Sequence, residues 1–276
     1  MKAMIFAAGL GTRLKPLTDT MPKALVPVSG KPLIQHVSEK LAAAGFTDIV
    51  VNVHHFADMI EFWCHAAQLQ SDAMTFTLSD ERAGLLETGG GIRHAASSLK
   101  DAPEGRFLIH NVDILSNVDL PAFWKAGEGS DATLLVSERE TQRYLIFDKD
   151  MRLVGWTNAK TGEVKSPFPA VLEAFNPDYV TSVNTPVMQM SSFAYVPSEH
   201  QYTLLAFAGI HQMSTSLLPI MDDYPEKFSI IDFYLQHCRE YVIRGYVQPN
   251  LKLMDVGKLD TLDKAVDFLA SINEKP

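Results

Sequence analysis

The chain has 276 residues, 46% hydrophobic and 21% charged, which suffices for one large α/β core or two unequal parts. A formal net charge of −9 excludes a general nucleic-acid binder, which would need a basic face, and no apolar run reaches the roughly 18 residues of a membrane span. Cys64 and Cys238 fall in predicted helices without partners at metal-ligand spacing and read as reduced core thiols; the first residues lack a secretory layout, so a cytoplasmic location is expected.

The first predicted element is a strand over Lys2–Ala8, because Met4 to Ala8 is continuously apolar and suits a strand covered on both faces. It runs into Gly9-Leu10-Gly11-Thr12-Arg13, where two residues without Cβ let backbone N–H groups approach phosphate oxygens. Arg13 and Lys23 add positive charge; one ion pair at roughly 4 Å and an effective dielectric near 20 is worth about 4 kcal/mol before desolvation. The loop is neither a dinucleotide fingerprint, since Leu14 stands where the third glycine belongs, nor a P-loop, which needs Gly-Lys-Ser/Thr after four intervening residues.

A helix over Lys31–Ala44 follows, with Pro32 in its first turn and Gly45 as its stop, then a strand over Asp48–Val53. The Asn52–His55 loop either borders a nucleotide or is a surface turn, and adjacent His54 and His55 point apart in extended chain. A helix over Phe56–Gln68 and a strand over Met74–Ser79 precede Leu85–Ile92, where three glycines open a helix predicted over Gly91–Leu99. The strand Arg106–Asn111 ends at Asp113, a residue that could equally cap a turn. This βαβ series implies a largely parallel sheet with helices on both faces and ligands beyond the strands' carboxyl ends.

The second half reads as strands at Tyr144–Phe147 and Leu153–Thr157, a proline-broken loop from Pro167 to Pro186, and a helix over Ser229–Cys238. Strands over Val242–Val247 and Leu251–Asp255 and a closing helix over Leu259–Ile272 complete the chain. In that helix Leu262, Ala265, Val266 and Leu269 form an apolar stripe expected to face the core. A polyanionic ligand on an acidic chain needs concentrated positive charge, so a divalent metal, Mg²⁺, is expected beside Arg13 and Lys23.

The segment from Gly9 to Thr18, with Pro22-Lys23 and Pro27 after it, resembles the signature of the nucleoside-diphosphate-sugar pyrophosphorylases, the sugar-1-phosphate nucleotidyltransferases. Glu87-Thr88-Gly89-Gly90-Gly91 is most similar to the small bacterial branch using muramate, mannose or heptose 1-phosphates. The resemblance implies a Rossmann-like three-layer α/β/α fold of the glycosyltransferase-A-like kind, with a mostly parallel mixed central sheet and a small β-rich acceptor-side insertion. It implies one domain over residues 1–276, with a nucleotide-binding half at 1–137 and an acceptor half at 138–276. The hexapeptide repeat of an added acetyltransferase domain is not seen.

The same resemblance implies that Ala8, Gly9, Gly11, Thr12 and Arg13 contact the triphosphate and that Lys23 sits on the phosphate under attack, making Arg13 and Lys23 catalytic. Glu87, Thr88, Gly89 and Gly90 would line the base and ribose, with Glu81 a neighbour. Asp113 and Asp255 would hold Mg²⁺, Asp255 standing in an Asp-Val-Gly segment like the family's. Gly209 would meet the acceptor, with Lys160 and Arg143 as further candidates that also read as solvated surface cations. The implied partners are an NTP, UTP or GTP, and a sugar 1-phosphate, with a homo-oligomer left open. Two departures stand out: Val112 replaces the family's glycine before Asp113, and Gly257-Lys258 replaces Gly-Thr-Pro. Two other readings stay open: a cytidylyltransferase of a non-sugar phosphate such as phosphocholine, and a non-catalytic nucleotide-binding subunit. Retention of Arg13, Lys23, Asp113 and Asp255 speaks against the latter.

Overall fold

Successive residues of the strand Lys2–Phe6 enter different cores: Ala3 and Ile5 join one apolar cluster and Met4 the other, all fully buried. Burial on both faces is why this run lacks polar alternation. The computed structural model describes residues 1–70, 73–175 and 202–273. Within them a ten-stranded mixed sheet is built around a parallel centre, in which Lys2–Phe6 lies between Asp48–Val53 and Arg106–Asn111, and Thr75–Asp80 extends the Asp48–Val53 side. The long strand Thr203–Ser214 runs antiparallel to Arg106–Asn111 and bends between two further neighbours, Ala132–Ser137 and Arg143–Phe147. Beyond it, Leu153–Asn158 and Val164–Lys165 form an antiparallel extension, while Ile243–Val247 adds in parallel to Ala132–Ser137.

Helices cover both faces, giving three layers. Leu33–Ala43, Ala57–Gln70, Leu120–Ala126 and Leu259–Asn273 pack on the Ile5 side. Glu87–His94, Ala96–Leu99, Pro169–Phe175 and Ile230–His237 pack on the Met4 side. Among the described residues no helix is long and apolar enough to cross a membrane.

Several predicted boundaries move for identifiable reasons. The first strand ends at Phe6 rather than Ala8, because the Ala7 and Ala8 N–H groups turn to the Asn52 side chain. Pro32 caps the helix Leu33–Ala43 instead of lying inside its first turn, and Lys31–Pro32 pairs with Pro27–Val28. The glycine-rich helix begins at Glu87, so Gly89, Gly90 and Gly91 lie within it rather than before it. In the closing helix Ala265 and Leu269 are buried as expected, but Val266 is 48% exposed because it stands beside the stripe, not in it. The segment read as a proline-broken loop contains the helix Pro169–Phe175, and its part from 176 to 186 lies outside the described residues.

Two histidines are sealed in the sheet. His110 donates from Nδ1 to the Asn111 carbonyl (2.8 Å), and His211 Nδ1 meets the Tyr234 hydroxyl (2.7 Å). Burial pushes His110 down to about 4 and His211 down to about 3, so both stay neutral where the unfolded chain's histidines protonate. A base whose folded pKa is depressed stabilises the fold above the unfolded pKa near 6.5 and loses that contribution as pH falls below it, by up to about 1.4 kcal/mol per pH unit per group. Denaturant unfolding at pH 7 and pH 5 is therefore expected to give a clear loss of stability at the lower pH. His211→Gln should remove about one proton's worth of that slope; an unchanged slope would mean His211 takes up its proton inside the fold.

Candidate active site

The glycine loop is positioned by one buried asparagine. Asn52 Oδ1 accepts from the N–H of Ala7 (2.7 Å) and Ala8 (3.3 Å), while its Nδ2 donates to Glu81 Oε1 (2.7 Å). Glu81 Oε2 accepts from the Leu86 N–H (3.3 Å), and the His54 ring meets the Glu81 carbonyl (2.7 Å), so the loops after three adjacent strands are tied together. Burial raises the Glu81 carboxyl pKa, opposed by the hydrogen bonds from Asn52 and Leu86. His55 is exposed and packs on Phe56, away from this network. Gly11 has a φ of +62°, and a Cβ there would stand 2.8 Å from Thr18 Cγ2, so the turn requires glycine. Gly9, by contrast, faces open space with no protein atom within 4 Å of a built Cβ.

Lys23 is buried and donates from Nζ to Asp113 Oδ2. Asp113 follows the strand Arg106–Asn111, and its backbone carbonyl accepts from the Val256 N–H (2.8 Å). The strand Leu253–Asp255 runs antiparallel to Ile114–Ser116 with Asp255 opposite Ile114, which sets the two carboxylates side by side. Burial and then the neighbouring Asp113 push the Asp255 carboxyl pKa up, against the opposing pull of Lys23 and Arg13. Arg13 lies over Gly257, where a Cβ would come within 2.7 Å of Arg13 Nη2 and 2.6 Å of Asp255 Oδ1. The departure at Lys258 therefore leaves the contact-making glycine in place.

These residues fit a hard divalent cation. Asp255 Oδ1 is buried and has no hydrogen-bond partner, and the donors are all carboxylate oxygen. Among the described residues no group of three His, Cys, Asp or Glu side chains is placed to hold a metal ion, so the protein would offer two carboxylates and leave the other positions to phosphate oxygens and water.

A cavity of about 250 Å³ opens above the parallel strands and is lined by Ala8, Gly9, Lys23, Glu87, Thr88 and Asp113 among others. Thr12 and Arg13 are exposed on the short helical turn just beyond. Gly89 and Gly90 are not among the residues that line this cavity. Their N–H groups donate to the Phe228 carbonyl (2.9 and 3.2 Å), and a Cβ would drive into the Phe228 ring at Gly89 and the Glu226 carbonyl at Gly90. They are small so that the helix can press on the C-terminal half, a reason invisible in local sequence.

On the acceptor side, Gly209 has a φ of +75° at the bulge in Thr203–Ser214, and a Cβ would stand 2.7 Å from Asn111 Nδ2. Arg143 lines two cavities, of about 640 and 530 Å³, the second also walled by Arg13 and Asp255. Lys160 lies in the exposed turn after Leu153–Asn158, its N–H held by Asn158 Oδ1 (3.0 Å), and lines neither. Sequence reasoning missed Asn111 and Arg139. The one available signal for Asn52 was a polar residue inside the apolar strand Asp48–Val53.

The two kinds of glycine separate experimentally. Gly90→Ala is expected to cost about 1–3 kcal/mol of stability in chemical denaturation, because the carbonyl it meets cannot move aside cheaply. Gly9→Ala should unfold like the parent yet lose NTP affinity by roughly tenfold or more in calorimetry, since its methyl occupies ligand space; unchanged affinity would remove Gly9 from the site.

The profile of the nucleotidyl transferase family matches residues 2–144. An N-acetylmuramate alpha-1-phosphate uridylyltransferase of Caulobacter vibrioides is 49% identical over 111 residues, 40% of this chain and 45% of that protein. A mannose-1-phosphate guanyltransferase of Schizosaccharomyces pombe is 39% identical over 145 residues, 51% of this chain and 38% of that one. The chain thus spans about half or less of the curated relatives it matches. The crystal structure of HddC from Yersinia pseudotuberculosis superposes with a TM-score of 0.67 at 21% identity, covering 97% of this chain and 99% of that one, so the likeness in fold extends beyond the residues matched by the family. With its signature loop, paired carboxylates and sheet order, this chain belongs to the nucleotidyl transferase family.

Proposed function

We propose that the protein joins a nucleoside triphosphate to a sugar 1-phosphate, giving a nucleoside-diphosphate sugar and pyrophosphate. The observation that carries this reading is the meeting of Lys23 and Asp113, which line the glycine-loop cavity, with Asp255 and Arg13, which line the cavity of about 530 Å³. An oxygen of the sugar phosphate attacks the α-phosphorus, the bond from that phosphorus to the bridging oxygen breaks, and pyrophosphate departs with the electron pair. The nucleophile is already anionic at neutral pH, so the chain needs no strong general base. Its tasks are to align two mutually repelling anions and to neutralise charge in the transition state. Lys23, held by Asp113, is set to meet the α-phosphate, and Arg13 over Gly257 to meet the departing phosphates. Asp113 and Asp255 would hold Mg²⁺, which supplies Lewis-acid polarisation of the phosphate oxygens.

UTP and GTP are the favoured nucleotides, in keeping with the names of the two relatives. In this reading residues 1–137 bind nucleotide and 138–276 the acceptor, within one domain.

The test is pyrophosphate release from purified protein given Mg²⁺, each common NTP and dTTP, and a panel of sugar 1-phosphates with phosphocholine. Release with UTP or GTP and a sugar phosphate is expected, and EDTA should stop it. Asp113→Asn should abolish turnover while the folded far-UV spectrum persists. Turnover restricted to CTP and phosphocholine would replace the sugar reading, and metal-independent turnover would remove the carboxylate assignment.

A further inference from the structure

The two acceptor-side cavities share a wall made of Arg139, Thr141 and Arg143. Their charges differ. The cavity of about 530 Å³ contains Arg13, Arg139, Arg143 and Lys258 against Asp255 and Asp260, an excess of two positive charges (four minus two) next to the proposed metal carboxylates. The cavity of about 640 Å³ adds Lys165 to the two shared arginines but opposes them with Glu87, Glu163 and Asp232, three positive against three negative among the described lining residues. Lys165 is already engaged there, paired with Asp232 (3.1 Å) and Glu163 (3.9 Å) and lying 5.3 Å from the Trp156 ring centroid. Lys160, the expected acceptor cation, lines neither space. The undescribed segment 176–201 contains no lysine or arginine to supply another.

Resting on the activity proposed above, we infer that the acceptor is the 1-phosphate of an uncharged, hydroxyl-rich sugar whose phosphate is clamped by Arg139 and Arg143 and whose ring lies between Trp156 and Phe207. Arg139 is fixed for this by donating from Nη2 to the Phe207 carbonyl (2.9 Å), just before the bulge at Gly209. Guanidinium forks suit phosphate, and their place on the wall common to both cavities joins the ring space to the space containing Arg13 and Asp255. Once both arginines are committed to the phosphate, the ring cavity is left with Lys165 and with Lys227, which pairs with Glu87 (3.6 Å), against Glu87, Glu163 and Asp232, a remainder of one negative charge among the described residues. That remainder repels a carboxylate on the sugar and offers acceptors for its hydroxyls, as do Asn158 and Ser229 in the same cavity. The chain thereby departs from the muramate-using relative, an acidic-sugar enzyme by its name, whose match covers only 40% of this chain.

The experiment compares hexose 1-phosphates with the uronic acid 1-phosphates of the same scaffold, and with N-acetylmuramic acid 1-phosphate, by kcat/KM for pyrophosphate release. Each hexose that reacts is expected to exceed its uronic acid by roughly tenfold or more, and Asp232→Asn should narrow the gap. Arg139→Gln and Arg143→Gln should each raise the KM for sugar phosphate about tenfold while that for NTP stays within about twofold, with Arg→Lys recovering part of the loss. An acidic acceptor used as well as or better than its neutral counterpart overturns the inference while leaving the nucleotidyltransferase reading intact. So does an arginine variant that raises the NTP constant instead. No turnover with any acceptor, despite NTP binding, defeats the parent reading and this inference together.

Discussion

Two like charges sit side by side at the heart of this site, and most of the surrounding architecture serves to keep them there. Asp113 and Asp255 come from distant parts of the chain, and the contact between them is enforced by backbone: the ladder between Ile114–Ser116 and Leu253–Asp255, and the Val256 N–H on the Asp113 carbonyl. Left alone, the pair would be unfavourable, as the upward push on Asp255 reflects. Lys23 offsets part of the repulsion through Asp113, and Arg13 lies close enough to lower the cost at Asp255. The cation proposed for the site would give the unpartnered Oδ1 of Asp255 its partner.

The same reasoning explains why the C-terminal half cannot be regarded as an appendage. It supplies Asp255 and Gly257 to the carboxylate pair, and through the Phe228 carbonyl it receives two N–H groups from the start of the glycine-rich helix. Thr88 Oγ1 returns the favour by accepting from the Ile230 N–H (3.0 Å) at the start of the helix Ile230–His237. The helix Glu87–His94 is therefore held between the cavity wall, which Glu87 and Thr88 line, and the element carrying Asp232 on the acceptor side. Glu87 at its start lines both cavities.

Much of the fold was legible because its elements obey local rules. The strands Asp48–Val53 and Arg106–Asn111 were read with their observed ends, since apolar runs flanked by turn residues have few alternatives. The helix before Gly45 was marked by a stop whose φ of +87° only glycine adopts readily. Boundaries failed where a side chain from elsewhere intervened: Asn52 ended the first strand early, and contact with Phe228 and Glu226 let a helix absorb glycines that intrinsic propensity would exclude.

The loop chemistry of Gly11, the basic pair Arg13 and Lys23, and the two strand-ending carboxylates were determined by the sequence itself, because each is a matter of residue type at short spacing in a recognisable segment. Only tertiary structure decided which of these groups meet, that Gly89 and Gly90 pack against Phe228 and Glu226, and that Arg139 and Arg143, but not Lys160, line the cavities of about 640 and 530 Å³. The physical reason is range. Backbone conformation and burial preference act over a few residues, whereas charge balance in a cavity depends on elements brought together from across the chain, and no local pattern encodes that sum.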